Sequence, residues 1–397
     1  MIVDRTTLPD AAGELLDRAL GVYRDSPRAN GFLRTHFDHL HGPLRLAVVG
    51  DPGAGRTTLL GAILGDRVGV DRLVVDWPGA VELIDAGTTD ADATLVLTTR
   101  PGSEPPALRP DHPIARATPV ATIVVLSRAD ELGGGRIDAL ISARQVARRH
   151  AKSAESSGLC QDVIAVAGLL AVGASTMTGE EFAVLDLLGQ APRDEAEATL
   201  LSVDRFTAPG GRIAPAVRAE LVARLGMFGV RMAITLSRRG YRDQESLAAE
   251  LVRASGILDL RTSIGANFVD RAPVLRARSA LMALDMVLRM EPRPEAASIA
   301  ADLERVLAGA HDFRELRLLA ALRTGRVTFG EAAEEAVCLI GGHGTDPATR
   351  MSMSGDAYDT LLRWRGHAED PRLADRERRA AAVVARSCEA LISAFAR

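Results

Sequence analysis

The pattern of apolar and polar positions changes period along the chain, and each period predicts a different kind of element. Residues 7–24 place Leu15, Leu16, Ala19, Leu20 and Tyr23 on one helical face, with Thr7 and Asp10 as a plausible start. A second short helix is expected over about 28–40. The period then shortens. LRLAVVG (44–50) is a continuous apolar run that reads as a buried strand, opens into glycines, and is followed by the helical run TTLLGAILG. RLVVDW (72–77), VELID (81–85), ATLVLT (93–98), ATIVVLS (121–127) and QDVIAVAG (161–168) read as further strands, with a helix after Gly133–Gly135. Pro101, Pro105, Pro106, Pro110 and Pro113, with Pro119 just beyond, argue against a regular helix in 101–118. Strands alternating with helices predict a parallel α/β layer.

From about residue 177 the strand signal fades. Pro215 opens a helix that Gly226 can close, and a second runs from Met227 to Gly240. Another spans about 243–255 and stops at Gly256. After Pro273 the steps between Val274, Ala277, Leu281, Leu284 and Leu288 alternate between three and four, the seam of a bundle. Ile299, Leu303 and Val306 repeat that pattern, as do Val384, Cys388, Leu391 and Phe395, while GGHGTD (341–346) reads as a loop between helices. The fold class expected is an α/β P-loop (G-domain-like) parallel sheet plus an all-α helical bundle. Its parts are N-terminal helices over 1–43 that join the bundle, a P-loop domain over 44–200, and the bundle itself over 201–397.

Composition narrows the function classes. A chain of 397 residues, 47% hydrophobic and 25% charged, suits a soluble globular protein, and a net charge of −4 argues against sequence-independent nucleic-acid binding. Cys160, Cys338 and Cys388 are too widely spaced for a metal knuckle or a disulfide framework, so a reducing cytoplasm is expected. The N-terminus lacks the pattern of a signal peptide, and no run reaches the ~18 apolar residues of a membrane-spanning helix. Any membrane contact is expected to be peripheral.

The candidate chemistry sits in GDPGAGRTTLL (50–60), which nearly fits the phosphate-binding pattern G-x-x-x-x-G-K-[ST]. Gly50, Gly53, Gly55, Arg56, Thr57 and Thr58 would surround phosphate, with Thr57 facing Mg²⁺. Arg56 stands where the pattern has lysine. Lys152 is the sole lysine among 48 basic residues, so the exchange follows a chain-wide bias. A planar guanidinium is nonetheless a poor replacement for a compact ammonium in a tight cradle.

Ser127-Arg128-Ala129-Asp130 stands at a strand end where a GTPase has [NT]-K-x-D. Asp130 would accept from guanine N1 and N2, which argues against adenine, and Arg128 could stack on the purine. Asp85, followed by Ala86-Gly87-Thr88, is the favoured second metal ligand, although Asp76-Trp77-Pro78-Gly79 fits D-x-x-G more literally. Only about 27 residues separate Thr57 from Asp85, which leaves no room for a normal switch I with its metal-binding threonine. His36, Asp38, His39 and His41 read as a solvated helix end, and the Arg-rich 372–379 as a solvated bundle face.

Together these residues resemble the bacterial dynamin-like proteins of the actinobacterial isoniazid-inducible type. The resemblance covers roughly residues 44–397 and is clearest in SRADELGGGRIDAL (127–140), GLCQDVIAVAGLLA (158–171), LLSVDRF (200–206), RLGMFGVRM (224–232) and RARSAL (276–281). It implies a GTP/GDP- and Mg²⁺-binding domain, a helical stalk, and nucleotide-linked assembly at the cytoplasmic membrane. The implied partners are further copies of the chain or an active dynamin-like paralogue, with peripheral contact to anionic lipid. By the motif matches, Gly50, Gly55 and Thr57 would carry the phosphate site, Asp85 the metal site and Asp130 the base site. Arg56, the shortened segment after Asp85 and the missing switch I depart from the pattern.

Overall fold

A computed structural model describes residues 7–66, 72–77, 79–85, 91–100, 112–153, 159–210 and 212–395. Two helices come first, α1 (Leu8–Val22) and α2 (Pro27–His39). Thr7 and Asp10 form a reciprocal capping box on α1, and Ser26 caps α2 ahead of Pro27. The α/β layer then runs β1 (Leu44–Gly50), α3 (Arg56–Leu64), β2 (Arg72–Asp76), β3 (Ala80–Asp85), β4 (Ala93–Thr98), α4 (Pro113–Ala117), β5 (Thr122–Ser127), α5 (Ala139–Lys152) and β6 (Asp162–Val166). Residues 101–111 of the proline-rich stretch lie outside the described residues. Beyond them Pro113 opens the one-turn α4, where no regular helix was expected, because proline is tolerated in a first turn capped by His112.

The sheet has the order β2-β3-β1-β4-β5-β6, with β2 antiparallel to β3 and every other pair parallel. Ile123, Val124, Val125 and Leu126 of β5 are all buried, as a continuous apolar strand covered on both faces requires. The C-terminal ends of β1, β3, β4, β5 and β6 therefore share one edge of the sheet.

Among the described residues every further element is helical: α6 (Gly168–Ser175), α7 (Gly179–Gln190), α8 (Arg193–Thr199), α9 (Val203–Thr207), α10 (Pro215–Arg238), α11 (Gln244–Ala254) and α12 (Ile257–Ile264). A π-helical turn over Gly265–Val269 leads into α13 (Ala272–Met290), α14 (Ala297–Gly309) and α15 (His311–Arg323). The chain continues through α16 (Ala333–Leu339), α17 (Pro347–Met351), α18 (Ala357–Glu369) and α19 (Asp375–Phe395). Gly226 interrupts α10 with non-helical angles, at the position where the sequence divides that segment into two helices.

Among the described residues three apolar clusters hold these layers together. One joins α1, α2, α13, α14 and the start of α15 to one side of the sheet, and a second packs α5, α6, α7, α10 and α11 on the other. The third unites α15 with α16, α18 and α19. The reading of His36, Asp38, His39 and His41 as a solvated helix end holds for the exposed Asp38 and His41 and needs correction for the other two. His36 and His39 are buried, and His39 Nε2 lies 2.7 Å from Asp92 Oδ2, because both histidines prolong the inward stripe begun by Ala29 and Leu33. No helix among the described residues is long and apolar enough to cross a membrane.

Candidate functional site

The glycine loop leaves β1 at Gly50 and enters α3 at Arg56, at the shared C-terminal edge of the sheet where open α/β folds bind ligands. A Cβ on Gly50 would stand 2.9 Å from Leu97 Cβ and 3.0 Å from its carbonyl oxygen, so β4 leaves room for glycine alone. Gly53 and Gly55 hold φ of +81° and +89°, a region open to glycine at little cost. Gly55 caps α3 without a side chain, so the first N–H groups of that helix have no competing side-chain cap. Backbone donors and the positive end of a nine-residue helix together favour an anion there.

Next to the loop, Thr57 donates its hydroxyl to Asp85 Oδ2 at 2.8 Å. Asp85 Oδ1 is buried without a hydrogen-bond partner and lies 3.5 Å from Arg56 Nε. A hydroxyl and a carboxylate this close, with one carboxylate oxygen to spare, fit two positions of a Mg²⁺ ion that keeps its other ligands as water and phosphate. Arg56 contends for that oxygen. Its guanidinium is turned toward the carboxylate that a metal would use. Asp76, by contrast, pairs with Ala80 at the turn end of the β2–β3 hairpin, some 17 Å along the strand from Asp85. The segment 86–90, including Gly87 and Thr88, lies outside the described residues.

A cleft of about 350 Å³ joins the loop to the end of β5, lined by Asp51, Gly53, Ala54, Thr98, Arg128 and Glu131 among others. Arg128 holds φ +50°, a left-handed angle that costs a non-glycine residue about 1–2 kcal/mol. Its guanidinium donates to Glu131 Oε1 at 3.1 Å. Ser127 is buried and donates to the Thr98 carbonyl at 3.3 Å, which ties the end of β5 to β4. Thr58 belongs to the first turn of α3, and its methyl lies 3.5 Å from where a Cβ on Gly168 would be.

Asp130 does not line this cleft. Its Oδ2 lies 3.8 Å from the Cβ position of Gly226, beside the break in α10. Burial pushes its carboxyl up, Glu131 adds to the rise, and Arg128 with a backbone hydrogen bond opposes it. The structure thus brings Gly50 to Thr58 together with Asp85, sets Arg128 across the cleft, and places Asp130 against α10. Three neighbours escaped the sequence reading: Glu131, the Gly168–Leu169 turn after β6, and Gly226. The turn after β6 carried a signal, since it ends a parallel strand at the ligand-binding edge. Gly226 carried none beyond helix termination.

Strand order and glycine loop together define an α/β protein of the P-loop type with an extensive helical region. The chain is 30% identical to the isoniazid-induced protein IniC of Mycobacterium tuberculosis, alike in strains CDC 1551 / Oshkosh and ATCC 25618 / H37Rv. That alignment is 488 residues long and takes in 97% of this chain and 98% of the relative. The chain belongs to the IniC family. Because the alignment exceeds the 397 residues of this chain, the relatives carry segments that it lacks. No family model and no solved structure matches it.

Proposed function

We propose that this chain is a dynamin-like scaffold with a reduced GTPase-type domain. It binds a guanine nucleotide, turns it over weakly or not at all, and assembles with itself or an active paralogue at the cytoplasmic face of a membrane. The observation that carries this reading is the pairing of Arg56 with Asp85 beside an otherwise complete glycine loop. Gly53 and Gly55 orient backbone donors toward phosphate, and Thr57 and Asp85 would hold Mg²⁺, which when bound neutralises phosphate charge. Hydrolysis also requires a compact charge on the β- and γ-phosphates and a water ordered by switch segments. Arg56 is turned to Asp85 and supplies no such point charge, and the short span from Thr57 to Asp85 leaves no switch threonine. On this reading Asp130, which follows Arg128 and Ala129 in sequence, would accept from guanine N1 and N2, so guanine is expected over adenine.

A second reading, an active GTPase that drives membrane remodelling, is favoured by one contact. The Thr57–Asp85 hydrogen bond preserves the pair that a catalytic Mg²⁺ needs. Binding and turnover of Mg-GTP and Mg-ATP by the purified protein, beside Asp130→Ala, separate the two. The scaffold reading expects GTP binding that Asp130→Ala weakens, with negligible phosphate release. Clear GTP turnover that vanishes in Asp130→Ala overturns it in favour of the enzyme. The membrane part is tested by co-sedimentation with anionic vesicles, and a protein that stays in the supernatant with and without nucleotide refutes that part.

A further inference from the structure

A second cavity, of about 710 Å³, opens among α7, α8, α9 and both halves of α10, and none of the glycine-loop residues lines it. Its lining is mixed, with an apolar part built from Leu187, Leu188, Ala196, Phe206, Ile213 and Ile234. Its charges are three arginines, Arg205, Arg212 and Arg218, against one carboxylate, Glu195. A volume in this range suits a small-molecule ligand.

Arg218 is the informative residue. Only 6% of it is exposed. Its Nη2 donates to the carbonyls of Ala208 at 2.7 Å and Gly210 at 2.6 Å, while Nε is buried with no hydrogen-bond partner. Among the described residues no carboxylate pairs with it. The buried Arg271 faces Glu315, whereas Arg278, as buried as Arg218, likewise bonds to a carbonyl and a hydroxyl of Thr118; what sets Arg218 apart is its place on a cavity wall. A buried guanidinium without a counter-charge is costly, and an anion in the cavity removes the cost. Arg205 and Arg212 are exposed and, among the described residues, also lack an acidic partner. Leu201, Val203 and Val217, neighbours of the lining residues in sequence, are exposed apolar side chains on the same segments.

We propose that this cavity binds a single-chain amphiphilic anion, a long-chain carboxylate or monoalkyl phosphate. The head sits on Arg218 with Arg205 and Arg212 beside it, and the alkyl tail lies along Leu188, Phe206 and Ile234. The proposal is independent of whether the glycine loop holds a nucleotide.

The test is calorimetric titration of the full chain with decyl phosphate and with decanoate, below their micellar concentrations. Decan-1-ol and inorganic phosphate serve as the matched controls. Both anionic amphiphiles should saturate one site per chain and bind at least about tenfold more tightly than the alcohol, the worth of one charge-assisted contact. The double variant Arg205→Ala/Arg212→Ala, confined to exposed side chains, should weaken binding about tenfold with an unchanged melting temperature. Thr199→Trp, which narrows the cavity, should remove binding. Anionic vesicles that displace decyl phosphate would support the site with a bilayer lipid as its source. Retained binding in their presence would support it with a free amphiphile. Equal affinity for decyl phosphate and decanol, phosphate binding as tight as decyl phosphate, or no effect of either variant would overturn the proposal, as would no saturable binding at all.

Discussion

At the scale of the residue, the consequence of Arg56 depends on where its charge is spent. A P-loop lysine extends along the loop as a point charge, whereas a guanidinium is wide, planar and suited to carboxylates. Here it has a carboxylate within reach, since its Nε is 3.5 Å from Asp85 Oδ1 and Thr57 holds the other oxygen. The guanidinium and a metal ion are thus alternatives for the same oxygen. Arg56→Lys shifts that balance, because lysine pairs less well with a planar carboxylate and returns Oδ1 to the cation. We expect the enhancement of GTP binding by Mg²⁺ to be larger in Arg56→Lys than in the wild type by roughly tenfold, one charge-assisted contact. Fluorescent GTP titrated with and without chelator measures it directly. Equal metal dependence in the two proteins would show that Arg56 does not compete at this site.

At the scale of the element, the break in α10 has the most to explain. Gly226 holds φ +71° and ψ 162°, a combination essentially confined to glycine, in the middle of a 24-residue helical segment. The break stands beside Asp130 and Leu169. Five residues on, Arg231 donates to the carbonyls of Gly135, Leu200 and Leu201 at 2.8, 2.9 and 3.0 Å, which fastens the second half of α10 to the loop after β5. Any Cβ at 226 strains the backbone, so Gly226→Ala should lose about 1–3 kcal/mol in urea-induced unfolding. If α10 ran straight through 226 in solution, alanine would instead match or exceed the wild type. The elements themselves were legible in the sequence, because strand runs, caps and helical seams are local signals: Thr7 with Asp10, LRLAVVG, and the seam from Val274 to Leu288 all form the elements they predict. What escaped was contact between distant segments. His39 follows the inward stripe of α2, but its polar partner there is Asp92, 53 positions away, and no local pattern announces that partner. Asp130 against Gly226 is of the same kind. The glycine loop was legible as spacing, but the turn of Arg56 toward Asp85 depends on β3 lying next to β1, which is a property of the sheet.

At the scale of the molecule, one buried carboxylate joins regions that are far apart in sequence. The start of α15 packs in the cluster against the sheet, through Phe313 and Leu316, while Leu318 and Leu319 belong to the C-terminal cluster. Glu315 lies between them. Arg271, ahead of α13, donates to its Oε2 at 3.4 Å, Ser387 of α19 donates to Oε1 at 2.7 Å, and Arg350 of α17 pairs with Oε1. Burial alone would push this carboxyl up, but the hydrogen bond to His311 and the charges of Arg350, Arg271 and His311 outweigh it and hold the group at about 2, down from 4.5. A carboxyl lowered on folding stabilises the native state above its unfolded value. That contribution is lost as pH falls from 4.5 toward 2. Glu315→Gln keeps the volume and the bond from Ser387 but leaves the buried Arg271 and the partly buried Arg350 without their counter-charge, at a cost of about 3–5 kcal/mol near neutral pH. The difference between wild type and variant should then shrink below pH 4.5, since the wild type loses there the charge that the variant never had. Paired unfolding curves at neutral and acid pH read both numbers. A gap that stays constant into acid would mean that Glu315 holds the two clusters by packing rather than by charge.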